Sequence, residues 1–169
     1  MPTNYRRVAD WAKYPELMLL NRFDWTIPVA LAVGLFALGT YLQQFYPALG
    51  TNGPQLLVWG FFVSTVYQFH VTAAVNSAAH IWGSRRYETE DDSRNNWLVA
   101  LLGLGEGWHN NHHRFMSACR QGFFWWEFDL TYCALKVMSW VGLVWDLRPV
   151  PAEILAEGRA DRHDQRAEH

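Results

Sequence analysis

Three histidines fall within five residues in the run Gly105-Glu106-Gly107-Trp108-His109-Asn110-Asn111-His112-His113. On a helix, positions three and four apart share a face, so His109, His112 and His113 can aim ring nitrogens at one point. Imidazole is a ligand for Fe, Zn, Cu and Ni. A second polar pair, Asn76 and His80, lies four residues apart at the end of a long uncharged stretch, with the spacing of one helical face. Ionisable groups in such a position are costly and point to function. The pattern predicts a nitrogen-rich metal site, with solvated or core histidines as the competing reading. Asn is a poor direct ligand for iron, so Asn76 is expected to act through a water, or else to make an interhelical hydrogen bond.

Metal-bound histidines commonly donate their second N–H to a carboxylate. Glu106, three residues before His109, is the candidate for that role; a carboxylate at a helix N-terminus is the alternative. His70 precedes His80 by ten residues, roughly 1000° of helical rotation, which takes it off the face of His80. It either supports the ligands from behind or packs. Asp91 and Asp92 read as surface charges, and His163 and His169 carry no role. Gly105 and Gly107 permit a close backbone approach. Unprotonated imidazole is required for binding, so acid is expected to release the metal.

The elements that must position these residues are apolar. Hydrophobic residues make up 50% of the 169-residue chain and charged ones only 18%, although the mean hydropathy, −0.13, conceals this. Charge is unevenly placed, with no Asp, Glu, Lys or Arg from Trp25 to Ser84. Thr26–Tyr46 and Gln55–Val75 are each long enough to cross a bilayer as a helix. Between them, Pro47-Ala48-Leu49-Gly50-Thr51-Asn52-Gly53-Pro54 reads as a turn. The expected fold is all-α: residues 1–24 form a cytoplasmic amphipathic segment, 25–83 a two-helix transmembrane hairpin, 84–152 a cytoplasmic histidine-bearing and interfacial helical region, and 153–169 a charged flexible tail. Arg6, Arg7, Lys13 and Arg22 precede the hairpin, and Arg85, Arg86 and Arg94 follow it. The positive-inside rule then puts both ends and the histidines on the cytoplasmic side.

Phe123–Trp145 is aromatic but interrupted by Glu127, Asp129 and Lys136. It reads as an interfacial helix, with Trp125, Trp126, Trp140 and Trp145 at headgroup depth. The net charge of −2 provides no field for nucleic acid. Cys119 and Cys133 match no zinc spacing and no disulfide framework.

Asn76-Ser77-Ala78-Ala79-His80-Ile81-Trp82-Gly83, Asp92-Ser93-Arg94-Asn95-Asn96 and the 105–115 histidine run together resemble the C-terminal half of membrane acyl-CoA (stearoyl-CoA, delta-9 type) fatty acid desaturases. Asp10-Trp11 through Asn21-Arg22-Phe23 and Trp145-Asp146-Leu147-Arg148-Pro149 extend the resemblance over roughly residues 1–157. It implies part of a four-helix membrane bundle, a non-haem di-iron centre, O2 as oxidant, and insertion of a cis double bond into a saturated acyl chain. His80, His109, His112 and His113 would bind iron, and Asn76 would hold a water. The implied partners are a fatty acyl substrate carried as acyl-CoA, membrane lipid, and an electron carrier of cytochrome b5, ferredoxin or rubredoxin type. Trp59, Trp82 and Trp108 are candidates to line an acyl tunnel, with core packing as the alternative for each.

The family also has two earlier histidine boxes, and residues 1–69 contain no histidine. The di-iron site is therefore expected to be incomplete, with a missing N-terminal half, an internal start or fragment boundary at Met1, and a chain inactive alone. The alternatives are an inactive membrane fragment, a related histidine-box hydroxylase or sterol-type oxidase, and a zinc metalloprotease. Against the last, the HxxHH run of this chain lacks the glutamate that HExxH places between its two histidines.

Overall fold

The computed structural model describes residues 5–167, and side chains as far as Ala160. The chain divides into two compact units, 1–67 and 68–169. Among the described residues there is no strand, only isolated antiparallel bridges pairing Ser84 with Asn95 and Asn95 with Trp108. The all-α expectation holds.

In the first unit, a 3₁₀ turn (Tyr5–Val8) and the short helices α1 (Ala9–Ala12) and α2 (Pro15–Arg22) precede the long apolar helix α3 (Thr26–Phe45). Pro15 begins α2 where a missing N–H costs nothing. A second long helix, α4, spans Gly53–Ile81 and carries the chain into the second unit. Asn52 starts it, its side-chain oxygen accepting the Gln55 N–H at 2.9 Å. A π-helical turn at Val58–Val63 interrupts its first half.

The 20 residues of α3 reach about 30 Å, the thickness of a bilayer core. Only 6% of each apolar window is buried. Val33, Trp59, Phe62 and Phe69 all face outward, a surface suited to lipid rather than water. The helices approach closely where Gly39 lies against Asn52 and Gly53, leaving no room for a Cβ.

The second unit holds the end of α4, then α5 (Trp97–Leu102), α6 (His109–Arg114), α7 (Leu130–Trp140) and α8 (Ala152–Ala167). Its core is Tyr87, Phe123, Phe124 and Ile154, with Phe115, Val150 and Leu155 packed around it. Three expectations are corrected here. The regular part of α4 ends at Val75 and resumes as a short segment, Ala78–Ile81, so Asn76 and His80 do not share one continuous helical face. The aromatic stretch is not one interfacial helix: Phe123 and Phe124 are core, and only Leu130–Trp140 is helical. Trp125, Trp126, Trp140 and Trp145 are exposed.

The tail expected to be flexible from Glu153 begins instead as α8, with Ile154 buried and Tyr87 donating its hydroxyl to the Ile154 carbonyl at 3.0 Å. The side chains beyond Ala160, and residues 1–4 and 168–169 altogether, lie outside the described residues.

Candidate metal centre

The loop from Ser84 to Asn96 folds the second unit around the histidines. Ser84 and Asn95 exchange backbone hydrogen bonds at 3.0 and 2.8 Å, Arg94 N–H reaches the Ala79 carbonyl at 2.7 Å, and Asn96 N–H reaches Gly107 at 2.8 Å. One end of this ladder lies beside His80 and the other beside the 105–113 run. His80 and His109, twenty-nine residues apart, thereby meet, with their Nε2 atoms 3.1 Å apart. At that separation one nitrogen donates and the other accepts, so the pair shares a proton that a bound cation would displace.

His113 completes the group. One ligand nitrogen each from His80, His109 and His113 lies within 4.8 Å of the others. His112 is adjacent, with its ring centroid 5.7 Å from that of His113 and 6.1 Å from that of His109, but it is not part of this threefold convergence. His109 is buried. Desolvation, then the neighbouring His113, His80 and His112, holds its pKa down to about 4. Burial, then His113, lowers His112 as well. Both therefore favour the neutral form that binds metal. A compact set of imidazole nitrogens is chemically suited to iron or zinc.

Between His109 and His112 the sequence places Asn110 and Asn111, which are completely buried. Asn110 Oδ1 accepts the Arg86 and Tyr87 backbone N–H groups at 2.9 and 2.8 Å, and its Nδ2 donates to the Tyr87 carbonyl at 2.9 Å. Asn111 donates to the Gln121 carbonyl at 2.9 Å and to Glu127 Oε2 at 2.8 Å, and accepts from Asn95 Nδ2 at 2.7 Å. Glu127, whose side chain is fully buried, pairs with Arg86. Asp129 caps α7 through Tyr132 N–H at 2.8 Å and accepts Gln121 N–H at 2.7 Å. The short helix α6 is thus clamped by its asparagines, which leaves its histidines free to converge.

Sequence reasoning treated Glu127 and Asp129 as interruptions of an aromatic segment and gave the asparagines no part. The available signal was the cost of burying carboxylates among aromatics, which demands partners.

The remaining predicted residues fare differently. Asn76 is exposed and donates to the Thr72 carbonyl of its own helix at 2.9 Å. His70 is exposed and stands edge-to-face with Phe69. His70 does not join the three-histidine group. Among the described residues no hydrogen bond or ion pair joins Glu106 to a histidine; the carboxylate that does pair with one is Asp91, which meets Nδ1 of His113. Burial opposes charge on Asp91, but hydrogen bonds from Ser93 and Thr89, with His113 nearby, hold its carboxyl well below the usual range. Asp91, with its side chain 37% exposed, is thus a surface charge that also meets a histidine.

Trp59 and Trp82 are exposed, and Trp108 donates its indole N–H to the Phe128 carbonyl at 2.9 Å. The cysteines are free, as expected. Gly105 adopts φ +124° with its Cα against Asp129, a conformation and contact that a side chain would oppose.

The fold is all-helical, with two helices long and apolar enough to cross a membrane and a histidine cluster that could hold a metal ion. The profile of the "Fatty acid desaturase" family matches residues 4–137, and the chain belongs to that family. It is 40% identical to the chloroplastic palmitoyl-monogalactosyldiacylglycerol delta-7 desaturase of Arabidopsis thaliana, over 86% of this chain and 36% of the relative. It is 45% identical to the sn-1 stearoyl-lipid 9-desaturase of Synechocystis sp., over 77% and 37% respectively. An acyl-CoA C20 Delta5-desaturase of Anemone leveillei is 44% identical over 70% and 38%. The chain thus spans little more than a third of the length of these curated relatives.

Proposed function

We propose that this chain contributes part of the catalytic centre of a membrane fatty acyl desaturase, with iron held by His80, His109, His112 and His113 and a water held by Asn76. The observation that carries the proposal is the convergence of His80, His109 and His113 to within 4.8 Å of one another. Iron bound there would supply the O2-derived oxidising power that removes two hydrogens from a saturated acyl chain, with electrons from a small carrier protein. Burial keeps His109 unprotonated and available to bind. The asparagine and Glu127 contacts fix α6 so that its histidines need no reorganisation on binding.

Four histidines are fewer than the family's di-iron site uses. The remaining ligands are proposed to come from an N-terminal half bearing the two earlier boxes, and the chain alone to be inactive. Charge placement supports a multi-pass arrangement with the site on the cytoplasmic side. The substrate class is a saturated fatty acyl chain. The relatives' names cover both lipid-linked and CoA-linked forms, so the carrier is settled by assay.

The test is co-expression with a segment carrying the two earlier histidine boxes, followed by iron and product analysis. Bound iron and an unsaturated acyl product, both lost in His109→Ala, are expected. A hydroxylated product would assign the chain to the related hydroxylases, and absence of both iron and product would refute the proposal.

A further inference from the structure

Asp91 is an anchored carboxylate. Its Oδ1 accepts the Ser93 N–H at 3.0 Å and the Thr89 hydroxyl at 3.1 Å. Its main-chain carbonyl accepts Arg85 Nη2 at 2.8 Å. Ser93 is completely buried. Thr89 is tied in turn to α6, its hydroxyl accepting from Asn110 Nδ2 at 3.4 Å. The loop therefore orients the carboxylate before it meets the histidine, and Oδ2 is the oxygen presented to His113 Nδ1. A carboxylate can only accept there, so the ring proton must sit on Nδ1, leaving the Nε2 lone pair for a cation.

We propose that Asp91 is the positioning residue of this centre, fixing the tautomer and ring orientation of His113 so that Nε2 is the metal-binding atom. This rests on the reading of His80, His109 and His113 as metal ligands. Among the described residues Asp91 is the carboxylate that an ion pair joins to His113; Glu157 is engaged by Arg114, and Glu127 by Arg86 and Asn111. The arrangement closes a chain from the loop to the ligand: Arg85 and Ser93 hold Asp91, and Asp91 holds His113.

Asp91→Asn separates this role from a loop role. The amide oxygen can still accept from Ser93 and Thr89, preserving the loop, but the NH2 that replaces Oδ2 is a donor. His113 Nδ1 must then become the acceptor, and its proton moves to Nε2, the atom the metal needs. The full chain, labelled with 15N-histidine in detergent micelles without metal, is expected to show the Nδ1–H tautomer at His113, assigned by the resonance lost in His113→Gln. Asp91→Asn is expected to show the Nε2–H tautomer. Cobalt(II) titration of the same samples is expected to show roughly a 10- to 100-fold weaker affinity in Asp91→Asn.

An unchanged tautomer in Asp91→Asn while the unaltered chain binds cobalt overturns the role of Asp91. Failure of the unaltered chain to bind cobalt both alone and when co-expressed with the segment carrying the two earlier histidine boxes overturns the metal reading beneath it. An equal loss of affinity in Arg94→Met, which removes a loop contact to the Gly83 carbonyl and does not touch Asp91, would assign the effect to the loop and also overturn the proposal.

Discussion

Replacing Glu127 should release the histidine helix. All the partners of this carboxylate are donors: Arg86 Nη1, Asn111 Nδ2 at 2.8 Å and Phe124 N–H at 3.2 Å. The Glu127 side chain is fully buried, and that of Arg86 is only 14% exposed. Glu127→Ala therefore strands a largely buried guanidinium and a buried backbone N–H. Breaking one side of such a pair costs about 3–5 kcal/mol, a rise of roughly 10²- to 10⁴-fold in the open population. Glu127→Gln keeps one acceptor but turns an NH2 toward donors, and a loss of about 1.5–3 kcal/mol follows.

The assay is hydrogen exchange of the full chain in micelles, read at the His112 and Phe115 amides, which bond to Trp108 and Asn111 at 3.1 Å each. Exchange there should quicken by about two to four decades in Glu127→Ala and by about one to two in Glu127→Gln. Replacing the pair together, Arg86→Met with Glu127→Leu, removes the stranded charge and should recover most of the loss. Exchange in Glu127→Ala within threefold of the unaltered chain, or a double variant as labile as the single one, would refute the clamp.

Three further outcomes follow from the same packing. A Cβ at position 107 would meet the backbone of Asn96, Val99 and Ala100, so Gly107→Ala should lose about 1–3 kcal/mol or more in thermal unfolding and weaken cobalt binding in parallel. Asn110→Ala leaves the Arg86 and Tyr87 backbone groups without their side-chain partner, and should cost on the order of 3 kcal/mol by the same thermal measurement. Burial, against the lowering influence of Arg86, pushes the Tyr87 hydroxyl up from 10.0 to about 12. The unfolded chain then loses this proton before the folded one does. Its contribution is complete below about pH 10 and is lost as pH rises toward 12, roughly 2–3 kcal/mol in all. Tyr87→Phe should abolish that alkaline slope in a pH series of unfolding midpoints, at a cost of about 1 kcal/mol near pH 7 from the missing bond to Ile154.

The amino-acid order alone determined the chemistry and the apolar framework. Side-chain type sets ligand preference, so His109, His112 and His113 implied a nitrogen-rich metal site before any fold was known. An uncharged run from Trp25 to Ser84 has few stable forms other than long helices, and α3 and α4 appear where hydropathy put them. Local periodicity was less secure at the helix end, where a turn at Asn76 and Ser77 removed the shared face expected for Asn76 and His80.

Tertiary structure decided the pairings. His80 meets His109 because Asn95 bridges Ser84 on one side and Trp108 on the other. Spacing along the chain does not encode such a closure. It likewise chose Asp91 over Glu106 as the carboxylate on a histidine, because partnership depends on which oxygen a loop aims at a ring nitrogen. Glu127 and Asn111, sixteen residues apart, became the support of α6 for the same reason: buried polar groups must find partners, and only the folded chain shows which ones lie within reach.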